Sequence, residues 1–182
     1  LYIADGHHRM ASSLKYQATS QCLAYILPKK QLTTYPFHRI LLFKEKPDVI
    51  LKKIAKTLEI SKVKNPQKNS QHIQFYLNKK WYIIKNLINN DTLLVKQLLN
   101  KIFKPIFRIT NEKTSKNIRF VAGNNHTHHI LKRVKPNEIL FFMPNINIEI
   151  VIKLANQSKT TPPKSTFITP KIPSGLIMME LK

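Results

Sequence analysis

Leu1-Tyr2-Ile3-Ala4-Asp5-Gly6-His7-His8-Arg9 opens the chain, and Met10-Ala11-Ser12-Ser13-Leu14-Lys15-Tyr16 follows. The order is an apolar run, a glycine joint and a helix-like stretch. Read as strand, turn and helix, it places a carboxylate, two imidazoles and a guanidinium at a helix N-terminus. The first backbone N–H groups there have no partner within the helix, and the helix dipole favours an anion such as phosphate. Arg9 can grip two phosphate oxygens at once. His7 or His8 can move a proton near neutral pH. The plain alternative is a helix start with Asp5 as N-cap and two surface histidines. Spacing alone leaves both readings open, because short motifs often match by chance.

Working outward, residues 22–27 and 35–43 read as strands, the second carrying His38 and Arg39. Residues 48–58 place Val49, Ile50, Ile54 and Leu58 at helical spacing. Residues 62–70 read as a polar loop. Ile73, Phe75 and Leu77 alternate, and Asn78-Lys79-Lys80 turns the chain into Trp81-Tyr82-Ile83-Ile84, a hairpin signal without glycine. Residues 91–103 carry the clearest helical stripe. Residues 118–122 and 138–143 read as strands, 125–134 and 147–157 as helices, and 175–181 as a final strand. The alternation predicts a mixed α/β (α+β) chain, a sheet with flanking helices.

The chain has 182 residues, 42% of them apolar, enough for a core. It has no run of about 18 apolar residues, so no transmembrane helix is expected, and no signal peptide is apparent at its start. Cys22 is the only cysteine, which excludes an internal disulfide and suits a reducing cytoplasm. Because the chain opens on Leu1 in mid-strand, a preceding N-terminal half is expected. The net charge is +22, yet 26 of the 31 basic residues are lysine and only 5 are arginine. Lysine, asparagine and isoleucine abound, which a biased genome would also produce. Arginine, preferred for base and phosphate recognition, is scarce. Only weak, nonspecific nucleic-acid binding is therefore expected.

A second polar constellation lies at Thr161-Pro162-Pro163-Lys164-Ser165-Thr166, Thr169-Pro170-Lys171 and Pro173-Ser174-Gly175. The prolines stiffen the segment. Lys164, Ser165 and Thr166 could offer an ammonium and two hydroxyls to a phosphate. The competing reading is a connector between a helix and the last strand. His126, His128 and His129 lack the further ligands that zinc requires, so no zinc is expected.

The opening nonapeptide, together with Pro162-Pro163-Lys164-Ser165-Thr166, Pro170-Lys171 and Ser174-Gly175-Leu176, resembles an uncharacterised bacterial family, domain of unknown function ten-fifteen. Trp81-Tyr82, Ile118-Arg119-Phe120-Val121 and the closing strand fall where that family has similar segments. The resemblance implies the C-terminal half of a longer protein. Residues 1–45 would be the end of a motif domain and residues 46–182 a mixed α/β C-terminal domain. Asp5-Gly6-His7-His8-Arg9 also resembles the phosphate-binding motif of the ParB/sulfiredoxin-like superfamily, which includes CTP-using partition proteins, ATP-using sulfiredoxins and free serine kinases. Sulfiredoxin chemistry needs a cysteine where this chain has His7.

That resemblance implies that Gly6 and Arg9 bind phosphate, that Asp5 ligates Mg²⁺ or acts as base, and that His7 or His8 stabilises charge or transfers a proton. The expected cofactor is ATP or ADP with Mg²⁺. The expected function is a nucleotide-dependent phosphotransferase acting on a small metabolite such as serine. A ParB-like nucleotide-gated DNA-binding protein and an inactive remnant are the alternatives.

Overall fold

Ten residues, Thr33–Leu42, form strand β1, which pairs with three other strands. The computed structural model describes residues 1–16, 23–67, 70–85, 87, 94–159, 161–162, 164–173 and 175–176, without the side chains of His8, Arg9 and Tyr16. The other strands are β2 (Ile60–Val63), β3 (Gln74–Leu77), β4 (Lys80–Ile84), β5 (Ile118–Ala122), β6 (Glu138–Phe142) and β7 (Thr166–Thr169). They form a seven-stranded sheet in the order β2-β4-β3-β6-β1-β5, with β7 also on β1, and each pairing is antiparallel. β1 meets β5 at Leu41↔Ile118, β6 at Leu42↔Glu138 and β7 at Thr34↔Ile168. The chain is thus mixed α+β, with helices flanking one sheet. The first 45 residues deliver β1, which shares that sheet with strands from residues 46–182.

Alternation along β1 sends Leu41 to one face and Ile40 to the other. On the first face lies the larger core, centred on Phe75, Phe141, Leu98, Ile102 and Phe103. Helix α2 (Pro47–Thr57) covers it with Ile50 and Ile54, and Pro47 suits the first turn because its missing N–H would be unpaired there anyway. The second face buries Trp81, Val121 and Leu140 under Ile130 of the short α5 (Thr127–Leu131). Gly123 closes β5 against β1: its N–H donates to Pro36 O at 2.8 Å, and a Cβ would lie 2.8 Å from the Pro36 ring and carbonyl.

The helix expected over residues 91–103 is present in altered form; residues 91–93 lie outside the described residues. α3 (Leu94–Leu98) passes into a π-turn (Leu99–Phe103) and then α4 (Lys104–Phe107). Lys104 N–H reaches back five residues to Leu99 O, and Pro105 has no N–H to continue the ordinary ladder. The helix stops at Arg108, φ 57°.

Four expectations need correction. Residues 1–4 form a lead into helix α1 (His7–Tyr16), with no strand. Leu1, Tyr2 and Ile3 are exposed and pair with no strand. Leu23, Tyr25 and Ile26 are likewise exposed outside any strand, while Cys22 lies outside the described residues. Part of the supposed loop at 62–70 belongs to β2, held by Val63↔Trp81. In the last segment, β7 forms within the Ser/Thr-rich stretch. Gly175 and Leu176 sit in a turn, and the rest of the predicted final strand lies outside the described residues.

Candidate functional site

Gly6 has φ 81°, a left-handed conformation that costs glycine little. Its N–H donates to Asp5 Oδ1 at 2.9 Å, and its carbonyl accepts from Met10 N–H at 3.0 Å, which starts α1. The turn and helix of the motif therefore form as expected. His7 is exposed on the first turn of α1. His8 and Arg9 follow it in that turn, with side chains outside the described atoms.

The other oxygen of Asp5, Oδ2, pairs with Lys171 Nζ. Lys171 lies just beyond β7, and its ammonium stands 4.9 Å from the Phe167 ring centroid. The proline-rich segment thus delivers a cation to the opening motif. Lys171 was missed as a site residue; its signal was Thr169-Pro170-Lys171 within the second polar constellation. Helix α6 (Ile148–Asn156) also holds the opening segments. Tyr2 Oη donates to Asn156 Oδ1 at 2.6 Å, and Lys29 pairs with Glu149 at 2.5 Å.

Lys164, Ser165 and Thr166 do not converge. The Lys164 ammonium lies 5.1 Å from the Phe37 ring centroid. Ser165 is buried and donates its hydroxyl to Pro162 O at 2.6 Å. Thr166 pairs with Pro36 in the sheet. A Mg²⁺ ion at the motif would have Asp5 as its protein carboxylate and phosphate or water oxygens for the rest, a ligand set usual for Mg²⁺. Among the described residues, no group of three or more His, Cys, Asp or Glu could hold a metal. His126, His128 and His129 are exposed around the start of α5.

Two buried titratable neighbours lie on β1. His38 stacks on Phe142 at 3.9 Å, and its Nδ1 accepts from Met143 N–H at 3.0 Å. Burial, then the Arg39 charge beside it, lowers its pKa to about 3, so the ring is neutral at pH 7. Arg39 has no exposed side-chain surface. Its Nε donates to Glu112 Oε2 at 3.0 Å and its Nη1 to Phe37 O at 2.6 Å. Burial lowers its pKa, while Glu112 raises it through charge and hydrogen bonding. Beside Arg39 opens a cavity of about 720 Å³, bounded by the start of α3, α6, the 143–147 loop, Thr34 and Ser165. Asp5, Gly6 and His7 are not among its lining residues.

The family model described as "Protein of unknown function (DUF1015)" matches residues 1–138. The chain belongs to this family. No curated protein matches the DUF1015 chain. Among solved structures it is similar to a variant of free serine kinase in complex with AMP, at 16% identity and TM-score 0.55, covering 92% of this chain and 67% of that one. A free serine kinase variant in complex with ADP matches at 15% identity and TM-score 0.53, covering 92% and 66%. SbnI with a C-terminal truncation, from Staphylococcus aureus, matches at 10% identity and TM-score 0.60, covering 94% and 62%. The DUF1015 chain therefore spans about two thirds of the length of these proteins and shares their fold. No described helix is long and apolar enough to cross a membrane.

Proposed function

We propose that this DUF1015 chain carries the phosphate site of a nucleotide-dependent phosphotransferase whose acceptor is a small hydroxylated metabolite such as serine. The observation that carries the reading is the built turn at Asp5-Gly6, with Lys171 paired to Asp5 at the head of α1. The fold shared with kinase structures that contain AMP or ADP supports it.

Phosphoryl transfer is mostly positioning and charge neutralisation, and these residues can supply both. The first-turn N–H groups of α1, Arg9 and Lys171 would hold the transferred phosphoryl group. Mg²⁺ at Asp5 would offset further negative charge. The terminal phosphoryl group of ATP or ADP moves to the acceptor oxygen, and ADP or AMP leaves. With Asp5 holding Mg²⁺, the hydroxyl proton passes to His7 or His8; Asp5 would take it only in a scheme in which it holds no metal. Lys164, Ser165 and Thr166 set the path of the segment that brings Lys171 to the motif. The acceptor and the nucleotide are the only partners the reading requires.

The test is thermal unfolding with ATP, ADP or CTP, each with Mg²⁺. At about a hundred times Kd, a ligand adds roughly 2.7 kcal/mol of stability. We expect ATP or ADP to stabilise the chain and Arg9→Ala to abolish the effect without lowering the unliganded transition. With that nucleotide, serine should yield phosphoserine in a ³¹P spectrum. Full nucleotide binding by Arg9→Ala would overturn the site; binding without transfer would overturn the reaction.

A further inference from the structure

A line of side chains leads away from the opening motif. Lys171 Nζ pairs with Asp5 Oδ2 and stands 4.9 Å from the Phe167 ring centroid. Phe167 meets Phe37 with ring centroids 5.7 Å apart and the ring planes at 88°. Beyond them, Lys164 Nζ stands over the Phe37 ring at 5.1 Å. The order is carboxylate, ammonium, ring, ring, ammonium. Three distant parts of the chain supply it: the motif, β1, and β7 with its flanks.

The sheet fixes both rings. Phe37 lies two residues from Tyr35, hence on the same face of β1, and Tyr35 is the register partner of Phe167. Both rings are half-buried, whereas Lys164 and Lys171 are exposed. An exposed lysine tip resting over a ring marks ring surface that a ligand can reach from solvent. The right-angled pair forms a corner, the face of one ring beside the edge of the other, and aromatic groups favour both kinds of contact. The two ammoniums differ. Lys171 is committed to Asp5. Lys164 pairs with no carboxylate among the described residues and rests over Phe37 by a cation–π contact, which is weak at an exposed site.

We propose that Phe37 and Phe167 form the base subsite of the nucleotide, a step that rests on the phosphate reading above. With the phosphates at the Asp5-Gly6 turn and Lys171, the base stacks on Phe37, and Phe167 is the side wall. The Lys164 ammonium gives up the ring to the base. The exchange is favourable, because stacking a base on an aromatic ring outweighs a cation–π contact at an exposed site. The platform thus separates nucleotides from base-free polyphosphates.

Binding of ATP against inorganic tripolyphosphate, and of ADP against pyrophosphate, each with Mg²⁺, is measured by calorimetry at about 0.15 M salt, where loosely held polyanions are screened. At least one nucleotide should bind about tenfold or more tightly than its base-free counterpart. Phe37→Leu should remove that preference by weakening the nucleotide about tenfold, with the base-free anion unchanged. Phe37→Tyr, which keeps a ring, should retain it. Saturation-transfer NMR on the unaltered chain should mark the adenine ring protons, and it decides the matter if Phe37→Leu does not fold. Equal binding of nucleotide and base-free anion, a folded Phe37→Leu that keeps the preference, or no transfer to the adenine protons would overturn the base subsite and leave the phosphate reading standing. Binding of neither nucleotide nor anion would overturn both.

Discussion

The His38 imidazole links stability to pH. Its pKa is lowered from 6.5 to about 3, first by burial and then by Arg39. The unfolded chain takes up a proton below pH 6.5 that the folded chain refuses until about pH 3. This contribution is therefore complete above pH 6.5 and is lost as pH falls towards 3, at about 1.4 kcal/mol per pH unit. Between pH 6.5 and 4.5 the loss is about 2–3 kcal/mol. Carboxylates also titrate at acid pH, so the comparison must be with a variant that differs at this ring alone. His38→Asn keeps an acceptor where Nδ1 receives Met143 N–H, and it cannot be protonated in this range. At pH 7 it should be less stable, by about 1–3 kcal/mol, because the ring stacked on Phe142 is lost. Urea unfolding of both proteins from pH 7.5 to 4.5 should show the gap closing by about 2–3 kcal/mol on acidification. A gap that stays constant over this range would refute the burial argument.

Glu112→Gln should cost about 3–5 kcal/mol in urea unfolding, because it strips a wholly buried guanidinium of its counter-charge; a loss below about 1 kcal/mol would mean that Arg39 finds other compensation. Lys79→Gly should stabilise the chain by about 0.5–1 kcal/mol, a rise of a few degrees in Tm, since Lys79 sits at φ 59°. An unchanged or lower Tm would show that the lysine conformation carries no strain.

What the sequence revealed followed from local physics. Ile50 and Ile54 recur at helical spacing, and α2 forms over them. The hairpin between β3 and β4 was legible without glycine because Asn78, at φ 48°, tolerates the left-handed turn. The Asp5-Gly6 turn and α1 were legible because glycine and the following residues dictate them. Other features depended on distant partners. Thr166-Phe167-Ile168-Thr169 consists of strand-favouring residues, but so short a run among prolines announces no strand alone, and it becomes β7 by pairing with β1. The stripe from Leu94 onward fits an α-helix and a π-turn equally well, and Pro105 decides between them only in the folded chain. Arg39 lies in a segment legible as a strand, but its burial rests on Glu112, 73 residues later. Lys171 and the α6 cavity were hidden for the same reason, since nothing local announces which far segments meet.

The lower half of β1 has a long wait for its partner. Thr33–Pro36 pairs with residues 166–169, so most of the chain must be synthesised between the two halves of that contact. At translation speeds of about 5–20 residues per second, the interval is on the order of ten seconds. During it, a nascent strand edge stands open beside a growing sheet, the condition under which chains pair with one another. Pro36 lies within that edge and has no N–H to offer an intruding strand. A residue that shapes the approach of Gly123 in the finished protein thus also guards the unfinished one against aggregation.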